Sequence, residues 1–253
     1  MRAVLLAAGR GKRLGSTSPK VLTDVGGKTL LERHLTNMVE AGITALTIVV
    51  GFEQGQLREA LAKIPTTLPI DLLENPDFVR GSILSLQVAT RVGRLDAGGI
   101  WMDADVLYPP ELLRRLVASR HDNCLLIDTS SEESGEEMMV GFRHDRANKI
   151  ARRVGPNWDV AGESVGFAKV GPAAMRVLKR ILDDEIAAGR LDQEYEAAMD
   201  KAFAEVAFGF ERVDDLPWTE IDFQADIEKA LGLLPRIEAR MRAAHEKPIF
   251  SDA

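Results

Sequence analysis

Val4-Leu5-Leu6-Ala7-Ala8-Gly9-Arg10-Gly11-Lys12-Arg13-Leu14-Gly15-Ser16-Thr17-Ser18-Pro19-Lys20 is an apolar run that passes directly into a loop mixing glycines with cations. The run reads as a buried strand, and the loop has the composition of a polyphosphate cradle. Gly9, Gly11 and Gly15 let the backbone come close to a ligand and aim amide hydrogens at phosphate oxygens. Arg10, Lys12, Arg13 and Lys20 supply compensating charge. A glycine turn with solvated basic side chains would explain a lone glycine pair, but the whole string favours nucleotide binding.

Outward from this loop the chain alternates between two patterns. Residues 1–7, 45–51, 68–74 and 98–103 are short apolar runs rich in Val, Ile and Leu, as in strands covered on both faces. Segments 28–42, 53–63 and 81–93 carry apolar residues at three- and four-residue spacing and read as helices, with Ser82 a candidate N-cap. Strand, helix, strand, repeated, predicts right-handed crossovers and a doubly wound α/β sheet, mixed but mostly parallel. Residues 123–170 turn to shorter strand-like pieces, with turns at 130–135 and 155–157. Helices follow near 172–188 and 192–206, then a strand near 208–213 and a helix near 224–234. The segment 235–253 sets Arg236, Arg240 and Arg242 beside Ile237 and Met241. It reads as a separate amphipathic helical tail that packs on its own domain or on a twin subunit, which leaves room for a homodimer.

Two glycine-loop families fail on spacing. A dinucleotide fingerprint starting at Gly9 needs glycine where Leu14 stands, and a strongly cationic loop is not what a dinucleotide requires. A Walker loop needs a hydroxyl after its lysine, yet Arg13 follows Lys12. Composition removes other classes. With 253 residues, 45% of them hydrophobic, the chain can bury a full core. A net charge of −7 argues against nucleic acid or an anionic membrane as partner. The single cysteine, Cys124, permits no internal disulfide and reads as a small apolar strand residue. Without a signal-like start or a run of 18 apolar residues, the expectation is a cytoplasmic protein with no membrane insertion.

Leu6-Ala7-Ala8-Gly9, Gly11, Arg13-Leu14 and then Pro19-Lys20 resemble the LAAGxGxRL and ProLys signature of the nucleotidyltransferases that make NDP-sugars and CDP-alcohols. The resemblance continues through residues 21–32, Asp103-Ala104-Asp105 and Glu220-Ile221-Asp222, so it spans most of the chain. It implies a Rossmann-like fold of the nucleotide-diphospho-sugar transferase type with a small acceptor-binding β/α lid. Residues 1–234 would be one nucleotidyltransferase domain, with 1–122 the nucleotide-binding half and 123–234 the acceptor-binding half.

Asp105 follows an apolar strand, where a carboxylate is held steadily for a hard cation that also takes phosphate oxygens. The resemblance gives Asp105 and Asp222 the magnesium, Arg13 the β and γ phosphates, and Lys20 the bridge between α-phosphate and acceptor. Alone, either acidic triplet would more often be a turn or a solvated strand end. Leu6, Ala7, Ala8, Gly9 and Gly11 would meet the nucleotide, joined by Asn75, Gly81 and Ser82 at the base, with Asp103 at the ribose. Residues 74–86 are similar to bacterial cytidylyltransferases acting on phosphocholine or small phosphonates, which implies CTP. Glu163, Tyr195 and Glu196 are candidates for the acceptor, with Glu194 and Trp158 as alternatives.

The implied reaction is attack of a phosphate or phosphonate oxygen on the α-phosphorus of CTP, with release of pyrophosphate. A phosphate monoester has a second pKa of about 6, so no general base is required, and four histidines away from every motif raise no objection. UTP, GTP or dTTP transfer to a sugar 1-phosphate or a molybdopterin stays open, as does a non-catalytic nucleotide-binding domain.

Overall fold

The computed structural model describes residues 1–246. Its first half contains β1 (Arg2–Ala7), α1 (Leu30–Glu40), β2 (Ala45–Val50), α2 (Gln54–Leu61), β3 (Ile70–Glu74), α3 (Ser82–Arg91), β4 (Gly99–Asp103), β5 (Val106–Leu107) and α4 (Pro110–Ala118). The second half contains β6 (Cys124–Asp128), β7 (Met139–Arg143), β8 (Arg146–Ala151), β9 (Val160–Val170), α5 (Pro172–Ala187), α6 (Glu196–Ala202), β10 (Gly209–Arg212), β11 (Thr219–Glu220) and α7 (Gln224–Glu246). The predicted strands and helices of the first half appear within a few residues of their expected bounds. α1 begins where a capping box is written in the sequence: Thr29 accepts from the Glu32 amide, and Glu32 reaches back to the Thr29 amide at 2.7 Å.

The main sheet runs β10-β6-β9-β4-β1-β2-β3, with the β7–β8 pair attached to β9. β1 pairs in parallel with both β2 and β4, and β2 with β3, whereas β9 runs antiparallel to β4 and β6. The mixed, mostly parallel sheet expected from the strand–helix alternation is therefore present. Alternating side chains feed two cores. On one face Leu31, Leu35 and Met38 of α1, Leu57 of α2 and Leu112 and Leu116 of α4 pack on Leu5, Ile48 and Met102. On the other, Ile83 and Leu86 of α3, Met175 and Leu178 of α5 and Met199 of α6 pack on Val4, Val49 and Trp101. Cys124 is buried and free in β6, as its surroundings in the sequence suggest.

The expected break at residue 235 is corrected. α7 runs through Pro235 as one helix, and Ile237 beyond the proline is buried with Val25, Leu30, Leu107, Ile221 and Ala230. A proline inside a helix costs about 3 kcal/mol. Burial of Leu234 and Ile237 on either side of it supplies the offsetting gain. The described part of the tail thus packs on its own chain; residues 247–253 lie outside the described residues. Among the described residues no helix is long and apolar enough to cross a membrane.

Candidate active site

The chain leaves β1 towards one side of the sheet through β2 and β3, then returns to place β4 on the other side of β1. Strand order reverses between β1 and β4, and a crevice opens beyond such a reversal at the carboxyl ends. Leu6 lies opposite Asp103 across this pair, so the glycine loop and the Asp103-Ala104-Asp105 turn leave the sheet side by side. The resulting crevice encloses about 490 Å³.

Of the residues predicted from sequence, Leu6, Ala8, Gly9, Gly11, Arg13 and Lys20 line the crevice on the loop side. Gly81 and Ser82 line it at the start of α3, Asp103 and Asp105 after β4, and Tyr195, Glu196 and Asp222 from the second half. Ala7, Asn75 and Glu163 do not line it. Ala7 is buried in β1 opposite Val50. Asn75 lies beneath the surface: its amide nitrogen donates to Ser85 Oγ at 3.0 Å, and its oxygen accepts from the Asp77 amide at 3.0 Å. Its side chain is buried, and its polarity serves a turn and a helix. Glu163 sits on β9 opposite Met139 and Asp128. Trp158 is also elsewhere, under the Arg143 guanidinium at 5.1 Å.

Asp105 and Asp222 are far apart in sequence, and a two-strand ribbon unites them. β11 runs antiparallel to β5, with Glu220 opposite Val106, and the Ile221 amide donates to the Asp105 carbonyl at 2.9 Å. Lys20 Nζ donates to Asp105 Oδ2 at 2.7 Å and also to Asp222 Oδ1. Burial alone would lower the Lys20 pKa, but the two carboxylates outweigh it and hold the ammonium protonated above its ordinary range. Arg13 stands outside this pair, 3.6 Å from Asp222 and over the Phe223 ring at 5.5 Å.

The loop is shaped for that lysine. Gly11 has φ +59°, and a Cβ there would lie 2.7 Å from Lys20 Cγ. Only glycine combines this left-handed backbone with room for the side chain crossing it. Pro19 precedes a short 3-10 turn over Lys20–Leu22, and buried Val21 anchors that turn in the core.

The Asp103-Ala104-Asp105 turn is held from behind by His34, which no motif singles out on the apolar face of α1. The His34 ring is wholly buried, with Nε2 3.1 Å from the Ala104 carbonyl oxygen and Nδ1 3.2 Å from Tyr108 Oη. A carbonyl only accepts, so Nε2 carries the proton and Nδ1 accepts from the tyrosine. Burial pushes the His34 pKa down to about 4, which keeps the ring neutral.

The second-half side of the crevice is acidic. Tyr195 donates from its hydroxyl to Asp103 Oδ2 at 2.8 Å, and its backbone amide donates to Ser82 Oγ at 3.0 Å. The Ser82 hydroxyl therefore holds the segment that carries Tyr195, while Gly81 occupies the N-cap position of α3. Gly81 N donates to the Leu191 carbonyl at 2.9 Å, and Arg80 clasps Asp192 with contacts of 2.9 and 2.6 Å. Burial, then Asp105 and Glu196, pushes the Asp103 carboxyl well above its usual range. Burial, then Asp105 and Asp103, does the same to Glu220. Burial raises Glu196 to about 7. Glu136, Met138 and Arg152 also line this end, with Arg152 2.5 Å from Glu194; no motif marks the first three.

Known proteins with similar sequences carry related chemistry in their names. The chain is 28% identical over 229 residues to a "Bifunctional IPC transferase and DIPP synthase" of Rubrobacter xylanophilus, covering 89% of this chain and 50% of that protein. It is 33% identical over 123 residues to the "CMP-5'-(3-aminopropyl)phosphonate synthase" of Streptomyces rubellomurinus, covering 47% of this chain and 19% of that protein. The chain thus spans half the length or less of these two relatives. Among solved structures, the inositol-1-phosphate CTP transferase from T. maritima superposes with a TM-score of 0.77 at 21% identity, covering 94% of this chain and 96% of that one. At that identity the likeness shows the fold alone, the mixed, mostly parallel α/β sheet described above. Residues 3–163, most of the sheet and the whole glycine-loop side of the crevice, match the MobA-like NTP transferase domain, and the chain belongs to that family.

Proposed function

We propose that this chain transfers CMP from CTP to a small phosphate or phosphonate bearing an amine or alcohol, with release of pyrophosphate. The observation that carries the reading is Lys20 held between Asp105 and Asp222 in the crevice that the glycine loop enters. Nucleotidyl transfer needs those charges in one place, and two distant segments are folded to put them there. The CMP-forming and CTP-using relatives support cytidine as the base.

Magnesium fits this site. Asp105 and Asp222 offer hard oxygen donors, and among the described residues no cluster of three or more His, Cys, Asp or Glu side chains is arranged to hold a metal. An ion that keeps two protein carboxylates and takes its remaining oxygens from substrate phosphates and water is the usual magnesium arrangement. When bound there, magnesium would supply charge neutralisation for the triphosphate.

The remaining work belongs to the protein's own residues. The loop from Gly9 to Arg13 binds the triphosphate, with Arg13 exposed to meet the outer phosphates and the departing pyrophosphate. Lys20 supplies positive charge at the α-phosphate and draws the acceptor oxygen towards it. The acceptor oxygen–phosphorus bond forms as the phosphorus–pyrophosphate bond breaks. The acceptor oxygen is already ionised near neutral pH, and no base is asked of the chain. Asp103, with Tyr195 bonded to it, lies where a ribose hydroxyl could be met. Glu196 and Glu194 beside Tyr195 favour an amine on the acceptor, because a bound ammonium would restore charge to a carboxyl that burial disfavours.

The test is pyrophosphate release with magnesium, each of the four common triphosphates, and a panel of phosphocholine, phosphoethanolamine, aminoethylphosphonate, inositol phosphate and sugar 1-phosphates. Turnover is expected with CTP and an amine or alcohol phosphate or phosphonate. Lys20→Ala is expected to lower it by about 100-fold to 1000-fold, the size of a lost preorganised charge contact. Turnover with UTP or GTP and a sugar phosphate would overturn the choice of substrates.

A further inference from the structure

Lys20 does more in this fold than point into a nucleotide site. Its ammonium is bonded to both acidic side chains that a divalent ion would need, and all three groups are largely withdrawn from solvent. The contact is built in. The backbone at Lys20 is fixed by Pro19 and by buried Val21, and Gly11 leaves the gap through which the side chain passes. From that anchor the flexible four-carbon arm can swing within the crevice that Gly9, Gly11 and Arg13 also line.

We infer that Lys20 is an internal counter-ion that bars divalent metal from the Asp105–Asp222 pair until a triphosphate draws the ammonium away. An ammonium and a divalent cation compete for the same carboxylate oxygens and repel one another across a few ångströms. A free metal ion must break both Lys20 contacts and leave the ammonium unpaired. A metal that arrives with a triphosphate brings the anionic oxygens that give the ammonium a new partner. Metal and nucleotide therefore enter together, and the nucleotide-free protein holds divalent ions weakly. The lysine is thus a gate on the order of binding as well as a source of positive charge for the reaction.

This inference rests on the metal reading of the carboxylate pair but not on the identity of base or acceptor, so it is tested without turnover. Mn2+ is titrated into the nucleotide-free protein and free Mn2+ is followed by electron paramagnetic resonance. Wild type is compared with Lys20→Met and Lys20→Gln, and with the double variant Lys20→Met/Asp105→Asn. Both single variants are expected to bind one Mn2+ at least about tenfold more tightly than wild type, equivalent to about 1.4 kcal/mol. The double variant should lose that gain. Thermal unfolding gives a second readout: Mn2+ should raise the Tm of the single variants and leave that of wild type unchanged. Wild-type Mn2+ affinity equal to that of Lys20→Gln, or a gain that survives loss of Asp105, overturns the inference. Failure of CTP turnover alone would instead refute the proposed reaction and leave these titrations readable.

Discussion

His34 gives the sharpest prediction, because its geometry fixes both tautomer and charge. The ring donates from Nε2 to the Ala104 carbonyl and accepts at Nδ1 from Tyr108, and its pKa is held near 4 by burial. The folded-state value is below the unfolded value of 6.5. Its contribution is therefore whole above pH 6.5 and is lost as pH falls through 4. Between pH 7 and pH 5 those two values give a loss of about 2 kcal/mol, and by pH 4 and below the loss approaches about 3 kcal/mol. Other carboxyls titrate over the same range, including Glu196, whose raised pKa acts in the opposite direction. The informative quantity is therefore the difference between wild type and His34→Gln, which keeps an amide near Ala104 but cannot titrate. Urea unfolding of both proteins at pH 7, 6 and 5 measures it. The variant starts lower at pH 7 by about 1 to 3 kcal/mol for the imperfectly replaced hydrogen bonds. It should then lose about 2 kcal/mol less than wild type on going to pH 5. Parallel losses in the two proteins would refute a buried neutral imidazole. The same variant should need more magnesium for half-maximal turnover, because Ala104 lies between Asp103 and Asp105.

Gly11→Ala combines a left-handed φ with a Cβ 2.7 Å from Lys20 Cγ, so steady-state turnover should fall by about 100-fold, the order that a misplacement of an ångström costs. Full turnover would contradict the described path of Lys20. Gly81→Ala places a Cβ 1.9 Å from the Gln193 carbonyl oxygen and must displace the segment carrying Tyr195 and Glu196. Its KM for the acceptor should rise by about tenfold while that for the nucleotide changes less, as the acceptor side is what moves. Glu185 is buried and accepts from Arg190 at 2.6 Å and from Lys201, and these contacts, Arg190 first, hold its pKa near 2. That stability is present above pH 4.5 and lost as pH falls through 2. Glu185→Gln should cost about 2 kcal/mol at pH 7 in urea unfolding, less than the full linkage because both cations reach solvent.

Much of the sheet was legible because buried parallel strands and amphipathic helices have different periods. Leu5, Ile48 and Met102 show in sequence as the runs they become in space. The Gly9–Lys20 side of the crevice was legible for a similar reason: strand, glycine and cation sit within one short stretch. The joining of Asp105 to Asp222 was not, since nothing local announces that two residues of β11 will pair with two of β5; only the resemblance supplied it. Asn75 misled because a polar residue after a strand looks the same whether it meets a ligand or closes a turn. Pro235 misled because a proline's local cost is visible in sequence, whereas the burial of Ile237 that helps offset it depends on Val25 and Leu107. His34 stayed hidden because one histidine on an apolar helix face gives no sign of which carbonyl it will hold.

The β5–β11 ribbon also bears on when the protein can work. Lys20 and Asp222 are separated by 202 positions, and the ladder that joins their surroundings is two residue pairs long. Contacts of such high sequence separation form only after the intervening chain has been ordered, because the entropy of closing the loop must be met first. The glycine loop can take shape as soon as β1 finds β2, but Lys20 gains its second carboxylate only after β11 docks. A nascent chain would thus display its glycine loop well before Lys20, Asp105 and Asp222 are brought together. Assembly of Lys20, Asp105 and Asp222 is expected late in folding, because it requires that both halves of the chain have found one another.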